Sequence, residues 1–169
     1  MTITIRGSII KPSELHRFLG VLVDEKLRWH KYIAYAIGRG TTYTLQLRRI
    51  SLCEKGIPLT LARQLYTAVA LPKMLYTLNM WFNPIYNEDT NIINRGSIGT
   101  SHQLAHVQCQ AALFITGAFQ TSATNVMKAH AKLLPIAQCT QTLCHCAALW
   151  IAAHPQSHPL HPLIRWAAK

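Results

Sequence analysis

Beyond Asp89 this sequence has no carboxylate. All six acids (Glu14, Asp24, Glu25, Glu54, Glu88 and Asp89) precede that point, against 17 Lys and Arg in 169 residues. A stretch without acids cannot supply a two-metal centre or a pair of catalytic carboxylates. Nor can it orient a catalytic base, so the many Cys and His of the second half lack the third partner of a nucleophilic triad. No Asp-Asp pair and no Cys-x2-Cys pair occurs anywhere. Gly38-Arg39-Gly40 has neither the spacing nor the following Lys-Ser/Thr of a phosphate loop. The five cysteines, an odd number without a regular framework, argue against a secreted disulfide scaffold and for a reducing compartment. The N-terminus, Met1 to Arg6, lacks the continuous apolar core of a secretory signal. The most apolar stretch, Tyr66 to Phe82, is interrupted by Pro72, Lys73 and Asn79, which predicts a kinked, buried helix and no membrane partner.

What is present is apolar and basic. Half the residues are hydrophobic and 14% are charged, with a net charge of +11. That composition fits a globular protein with a core, and the charge favours polyanions, nucleic acid first.

Periodicity predicts a mainly α protein, a helical bundle preceded by a small β-hairpin. Thr2 to Ile5 alternates polar and β-branched residues, Gly7-Ser8 marks a turn, and His16 to Asp24 is a second extended run. Together these two runs suggest one hairpin or ribbon. A helix is expected from about His30 to Ser51, with Ile33, Ala36, Ile37, Gly40, Thr44 and Leu47 inward. Gly38 and Gly40 weaken it unless a close helix contact requires them. Thr60 is placed to cap the next helix, which carries Leu61, Leu65, Ala68 and Val69 inward until Pro72 kinks or splits it. Residues 83 to 100 form a polar joint. Thr100 to Gln103 resembles a capping box opening a helix with Leu104, Val107, Ala111, Phe114 and Ala118 inside. A short helix near Asn125 to Lys132 and a last one over Ile136 to Ala153, with Ile136, Leu143, Ala147 and Trp150 inward, complete the bundle. The His/Pro-rich tail from 154 to 169 reads as an extended linker.

Two clusters carry possible chemistry. Cys139, Cys144, Cys146, His154, His158 and His161 crowd together in sequence, but Cys144 and Cys146 lie roughly 200° apart on a helix and cannot share a zinc ion. On the first long helix, Lys31, Tyr35, Arg39, Thr42, Gln46 and Arg49 fall within an arc of about 80° opposite the apolar face. Three cations and three hydrogen-bonding side chains, with no acid among them, suit a phosphate backbone, although an ordinary solvated polar face is the plainer explanation.

Four collinear segments resemble one family. His16-Arg-Phe-Leu-Gly-Val-Leu-Val-Asp24 followed by Leu27-Arg-Trp-His30 and Ile33 is similar to the segment that closes the polymerase core of non-LTR, LINE-type retrotransposon reverse transcriptases. Tyr32 stands where that family usually has His. Ala62 to Tyr76, with Trp81, resembles its next helix, with Thr77 in place of a small residue. Ala111 to Ser122 resembles its "ALxxITGAFRTT" signature, with Gln120 where Arg is common. Leu133-Leu-Pro-Ile136 and Ser157 to Pro162 resemble the run that precedes its ribonuclease H domain.

The resemblance implies a primer-grip hairpin within residues 1–29 (Phe18, Leu19, Gly20, Val21) and thumb-like helices over 30–83. A loop at 84–100, connection helices over 101–153 and a linker at 154–169 would follow. It implies an RNA/DNA template-primer duplex as partner, with a palm domain in cis or in trans, and an intracellular setting in the nucleus or cytoplasm. The parent polymerase uses Mg²⁺ on palm aspartates that this chain lacks. Alone, the chain is therefore expected to be a non-catalytic fragment without a cofactor or metal. The alternatives are a basic helical interaction module and a decayed retrotransposon remnant without function.

Overall fold

The computed structural model describes residues 3–5, 8–10, 13–51, 56–83, 97–155, 157–159 and 161–162, with side chains from residue 13 onward. The two extended runs do not pair with each other. β1 (Ile3–Ile5) pairs antiparallel with β2 (Ser8–Ile10), and β3 (Leu15–Phe18) pairs with β4 (Val21–Asp24) in a separate two-stranded sheet. The second run folds on itself because Leu19 and Gly20 both adopt positive φ, 47° and 86°. A two-residue hairpin turn of the tightest kind requires that geometry at both central positions. Arg17 consequently faces Leu22, and Phe18 faces Val21.

The first long helix, α1 (His30–Ser51), starts and stops where periodicity places it. Tyr32, Ala36, Gly40, Thr44 and Leu47 are buried, while Ile33 and Ile37 are only half-buried. After it come α2 (Leu59–Leu65), one π-helical turn (Tyr66–Ala70) and α3 (Leu71–Met74). Pro58, not Thr60, precedes the first turn of α2, and no side chain caps it. Pro72 does not break this run. It sits in the first turn after the π-helical stretch, where the Leu71 amide reaches back five residues to the Tyr66 carbonyl. A missing amide and a bulky ring are accommodated by widening the turn.

The widened turn also resets the buried face. Ala62, Tyr66, Ala70 and Met74 point inward, whereas Leu61, Ala68 and Val69 are exposed and Leu65 is half-buried. Residues four apart drift around a regular α-helix by about 40° per step. The π-helical turn takes that drift back, so an all-four spacing stays on one side.

α4 (Leu78–Trp81) follows, entered through Thr77 at φ 51°. α5 (Ile98–Thr116) begins ahead of the expected capping box, inside the segment expected to be loop. The Ser97 hydroxyl accepts the Asn83 amide at 2.8 Å and caps nothing in α5. Leu104, Val107 and Ala111 are buried as expected, joined by Gln108, Ala112 and Ile115, while Phe114 and Ala118 are half-buried. Gly117 ends the helix at φ 63°, the left-handed conformation common just past a helix C-terminus.

α6 (Thr124–His130) and α7 (Ile136–Ala152) complete the fold. Only the first two turns of α7 are covered, through Ile136 and Thr140. Leu143 and Trp150, expected inward, are 44% and 65% exposed. The described part of the tail is not extended: His158 and His161 amides close turns onto Pro155 and His158 carbonyls, each at 2.9 Å. The His154 ring lies 4.5 Å from Trp150 and 4.2 Å from His158, centroid to centroid.

Residues on both sides of the polar joint share their cores. One joins Val21, Tyr32, Met74 and Trp81 to Leu104, Val107 and Ile136. The other joins Leu47, Ala62 and Tyr66 to Ala111, Ile115, Met127 and Leu133. Gln108, 1% exposed, links them, donating to the Leu134 carbonyl (2.7 Å) and accepting the first amide of α7, from Ile136 (2.9 Å). No helix among the described residues is long and apolar enough to cross a membrane.

Candidate nucleic-acid interface

The six-residue stripe of α1 lies on one continuous helix face, with a spacing of three and four residues throughout. Lys31, Thr42, Gln46 and Arg49 are exposed, and Tyr35 and Arg39 are half-buried. Arg39 is its fixed point. Its guanidinium donates to the Tyr35 hydroxyl at 2.9 Å and to the Tyr43 hydroxyl at 2.8 Å, one helical turn to either side. The guanidinium carbon stands 5.7 Å and 5.6 Å from the two ring centroids, within cation–π range. These phenols hold Arg39 firmly in its cationic form, the Tyr35 bond contributing most. Conversely, Arg39 draws the Tyr35 phenol below its ordinary pKa, chiefly through that hydrogen bond. A phenol that accepts from Arg39 still has its own O–H to donate.

The rest of the stripe is looser. The Thr42 hydroxyl turns back to the Gly38 carbonyl at 2.9 Å, an ordinary helical bond that leaves its outer lone pair free. Lys31 reaches Glu14 at 3.9 Å, with both side chains largely exposed, and so limits its charge only weakly. Glu14 belongs to the segment before β3, which is why the stripe read by itself appears free of acids.

The Phe18-Leu19-Gly20-Val21 segment splits in two. Val21 is buried in the core, while Phe18 and Leu19 stand 67% and 77% exposed at the hairpin tip. The tip is tied down from afar, because Tyr76 donates its hydroxyl to the Leu19 carbonyl at 3.1 Å. The Tyr76 carbonyl in turn accepts the Tyr32 hydroxyl and the Trp81 indole N–H, each at 3.2 Å. Tyr32 is thus a core residue, with its ring edge-on to Trp81 at 6.3 Å.

This fastening places the hairpin turn beside α1 and α3 and encloses a half-open cleft of about 290 Å³. Arg17, Arg39 and Lys73 all line it, together with Gly20, Tyr35 and Tyr76. Sequence reasoning singled out neither Arg17 nor Lys73. Strand alternation would have set Arg17 on the face opposite Phe18, but nothing local places Lys73 against the hairpin.

At the other end of β4, the Asp24 carboxylate accepts the amides of Arg28 (3.0 Å) and Trp29 (3.1 Å), just before α1. Those two amides, Arg28 first, hold its carboxyl below the ordinary carboxylate range. Among the described residues no three His, Cys, Asp or Glu side chains come together to hold a metal ion. The Cys139 and Cys144 thiols are pushed up by burial, which keeps them protonated and unreactive as free thiols.

Compared with family models, curated proteins and solved structures, the chain matches none.

Proposed function

We propose that this chain is the primer-grip, thumb and connection part of a LINE-type reverse transcriptase, binding a template-primer duplex without catalysing synthesis. The observation that carries the proposal is the α1 face. Arg39 is held in place by two phenols without being neutralised, and Lys31 and Arg49 lie on the same side. Such an array contacts phosphates and not base edges, so binding is nearly independent of sequence. Each phosphate neutralised on B-form DNA adds roughly 0.9 to the slope of log K against log salt. The test is duplex binding by fluorescence anisotropy across a salt series. Replacing Lys31, Arg39 and Arg49 with Gln should flatten the slope by roughly 2 to 3 units while helix content holds. Removing Lys128, Lys132 and Lys169 should flatten it less. Equal losses in the two triple variants would make binding a diffuse effect of net charge and remove the α1 assignment.

A second function, that of a basic helical interaction module, is favoured by one observation. The far end of α7 presents Leu149 (70% exposed) and Trp150 (65%) along with Leu143 (44%), apolar side chains largely uncovered by the described residues. If the wild-type chain shows no salt-dependent duplex binding, this becomes the better account.

A further inference from the structure

Arg17, Arg39 and Lys73 come from three different elements, β3, α1 and α3, yet line one cleft. Among the described residues no Asp or Glu lines it. Arg39 is held by hydroxyls, which fix its plane and leave its charge available. Arg17 is close enough to add to the field that lowers the Tyr35 phenol pKa. The Tyr76–Leu19 bond holds the hairpin turn beside this cleft.

The charge and the size together narrow the occupant. Three formal cations exceed what one phosphodiester, with its single negative charge, would balance. A phosphomonoester carries about −1.5 to −2 near neutral pH and offers three acceptor oxygens to these donors. The cleft lies at the small end of ligand pockets, which run from roughly 300 to 1,000 Å³. It suits a phosphate and its sugar better than a length of strand. We propose that the cleft between the β3–β4 turn, α1 and α3 is a binding site for a phosphomonoester group. Such a group occurs at the phosphorylated end of a nucleic-acid strand and on a free mononucleotide. The nucleic-acid source rests on the duplex-binding proposal; the site itself does not.

The experiment uses the full chain and duplexes identical except for a 5′-phosphate, a 3′-phosphate or hydroxyl ends. Inorganic phosphate and a nucleoside monophosphate serve as free competitors. One phosphorylated end should bind about tenfold tighter or more than hydroxyl ends, the size of one charge-assisted hydrogen bond. The Arg17→Gln/Lys73→Gln variant should lose that preference, and the equally discharged Lys128→Gln/Lys132→Gln control should keep it. Arg17 and Lys73 are exposed and lie off the α1 stripe, so neither folding nor the stripe is disturbed. If the free phosphates displace nothing and the three duplexes bind alike, the site is overturned while salt-dependent binding along α1 stands. If the free phosphates bind through Arg17 and Lys73 while the three duplexes bind alike, the site stands with a soluble ligand and the strand-end source is rejected. If they bind and no duplex does, the α1 proposal falls as well.

Discussion

Gly38 and Gly40 stand two residues apart on α1 and meet opposite surroundings. A Cβ built on Gly40 would lie 2.7 Å from the Met74 sulfur, 2.8 Å from its Cγ and 3.0 Å from its Cβ. Met74 is fully buried and cannot swing aside. At Gly38 nothing lies within 4 Å. The two sites therefore respond oppositely to one methyl group. Gly38→Ala should stabilise by about 0.5 to 1 kcal/mol through helix propensity alone. Gly40→Ala gains the same propensity but forces α1 from α3, for a net loss of about 1 to 2 kcal/mol. Urea unfolding of the two variants checks this, and a stabilised Gly40→Ala would show that the α1–α3 contact is loose. The need for a close contact was legible in the sequence as a possibility for both glycines. Which one needed it was not, because Met74 reaches Gly40 only through the tertiary fold.

At the scale of elements, the join between β4 and α1 depends on Asp24. Its carboxyl is held below the ordinary value of 3.8, first by the Arg28 amide and then by that of Trp29. A depressed folded-state pKa means stability that is present above the unfolded value and lost as pH falls through the folded one. Melting temperature should therefore drop as pH falls below about 4, and Asp24→Asn, which cannot titrate, should show a shallower drop there. Parallel curves for the two proteins would remove Asp24 from this role. Helix positions were the most readable part of the fold: α1 spans the residues its periodicity marked, and α6 and α7 nearly so. What failed did so for definable reasons. The β3–β4 turn was hidden because Leu19 is an unusual residue at positive φ. The inner face of α2 was displaced by a π-helical turn that no regular period describes. The outer half of α7 was assigned to a core because apolar spacing marks a face without saying whether anything covers it.

For the whole molecule, the charge distribution bears on catalysis. Asp24 is occupied by backbone amides and Glu14 lies against Lys31. Among the described residues no cluster of carboxylates stands ready for a two-metal phosphoryl transfer. Primer extension by the purified chain with Mg²⁺ or Mn²⁺ should equal the protein-free blank, and template-dependent incorporation would refute this. The α1 stripe could be read from spacing because one helix carries all of it. The cleft could not, since its three cations lie on separate elements and meet only when Tyr76 fastens the hairpin.

That fastening has a consequence for how the chain is made. Tyr76 and the Leu19 carbonyl it holds are 57 residues apart in sequence. During synthesis at 5 to 20 residues per second, the hairpin would wait about 3 to 11 s for its fastener to be added. A two-stranded hairpin is marginal in water, and its open edges invite pairing with other chains. Phe18 and Leu19, already exposed in the finished fold, would sit on that unfastened tip throughout the interval. A nascent chain stalled before residue 76 should therefore be more prone to aggregate than one stalled just after Trp81.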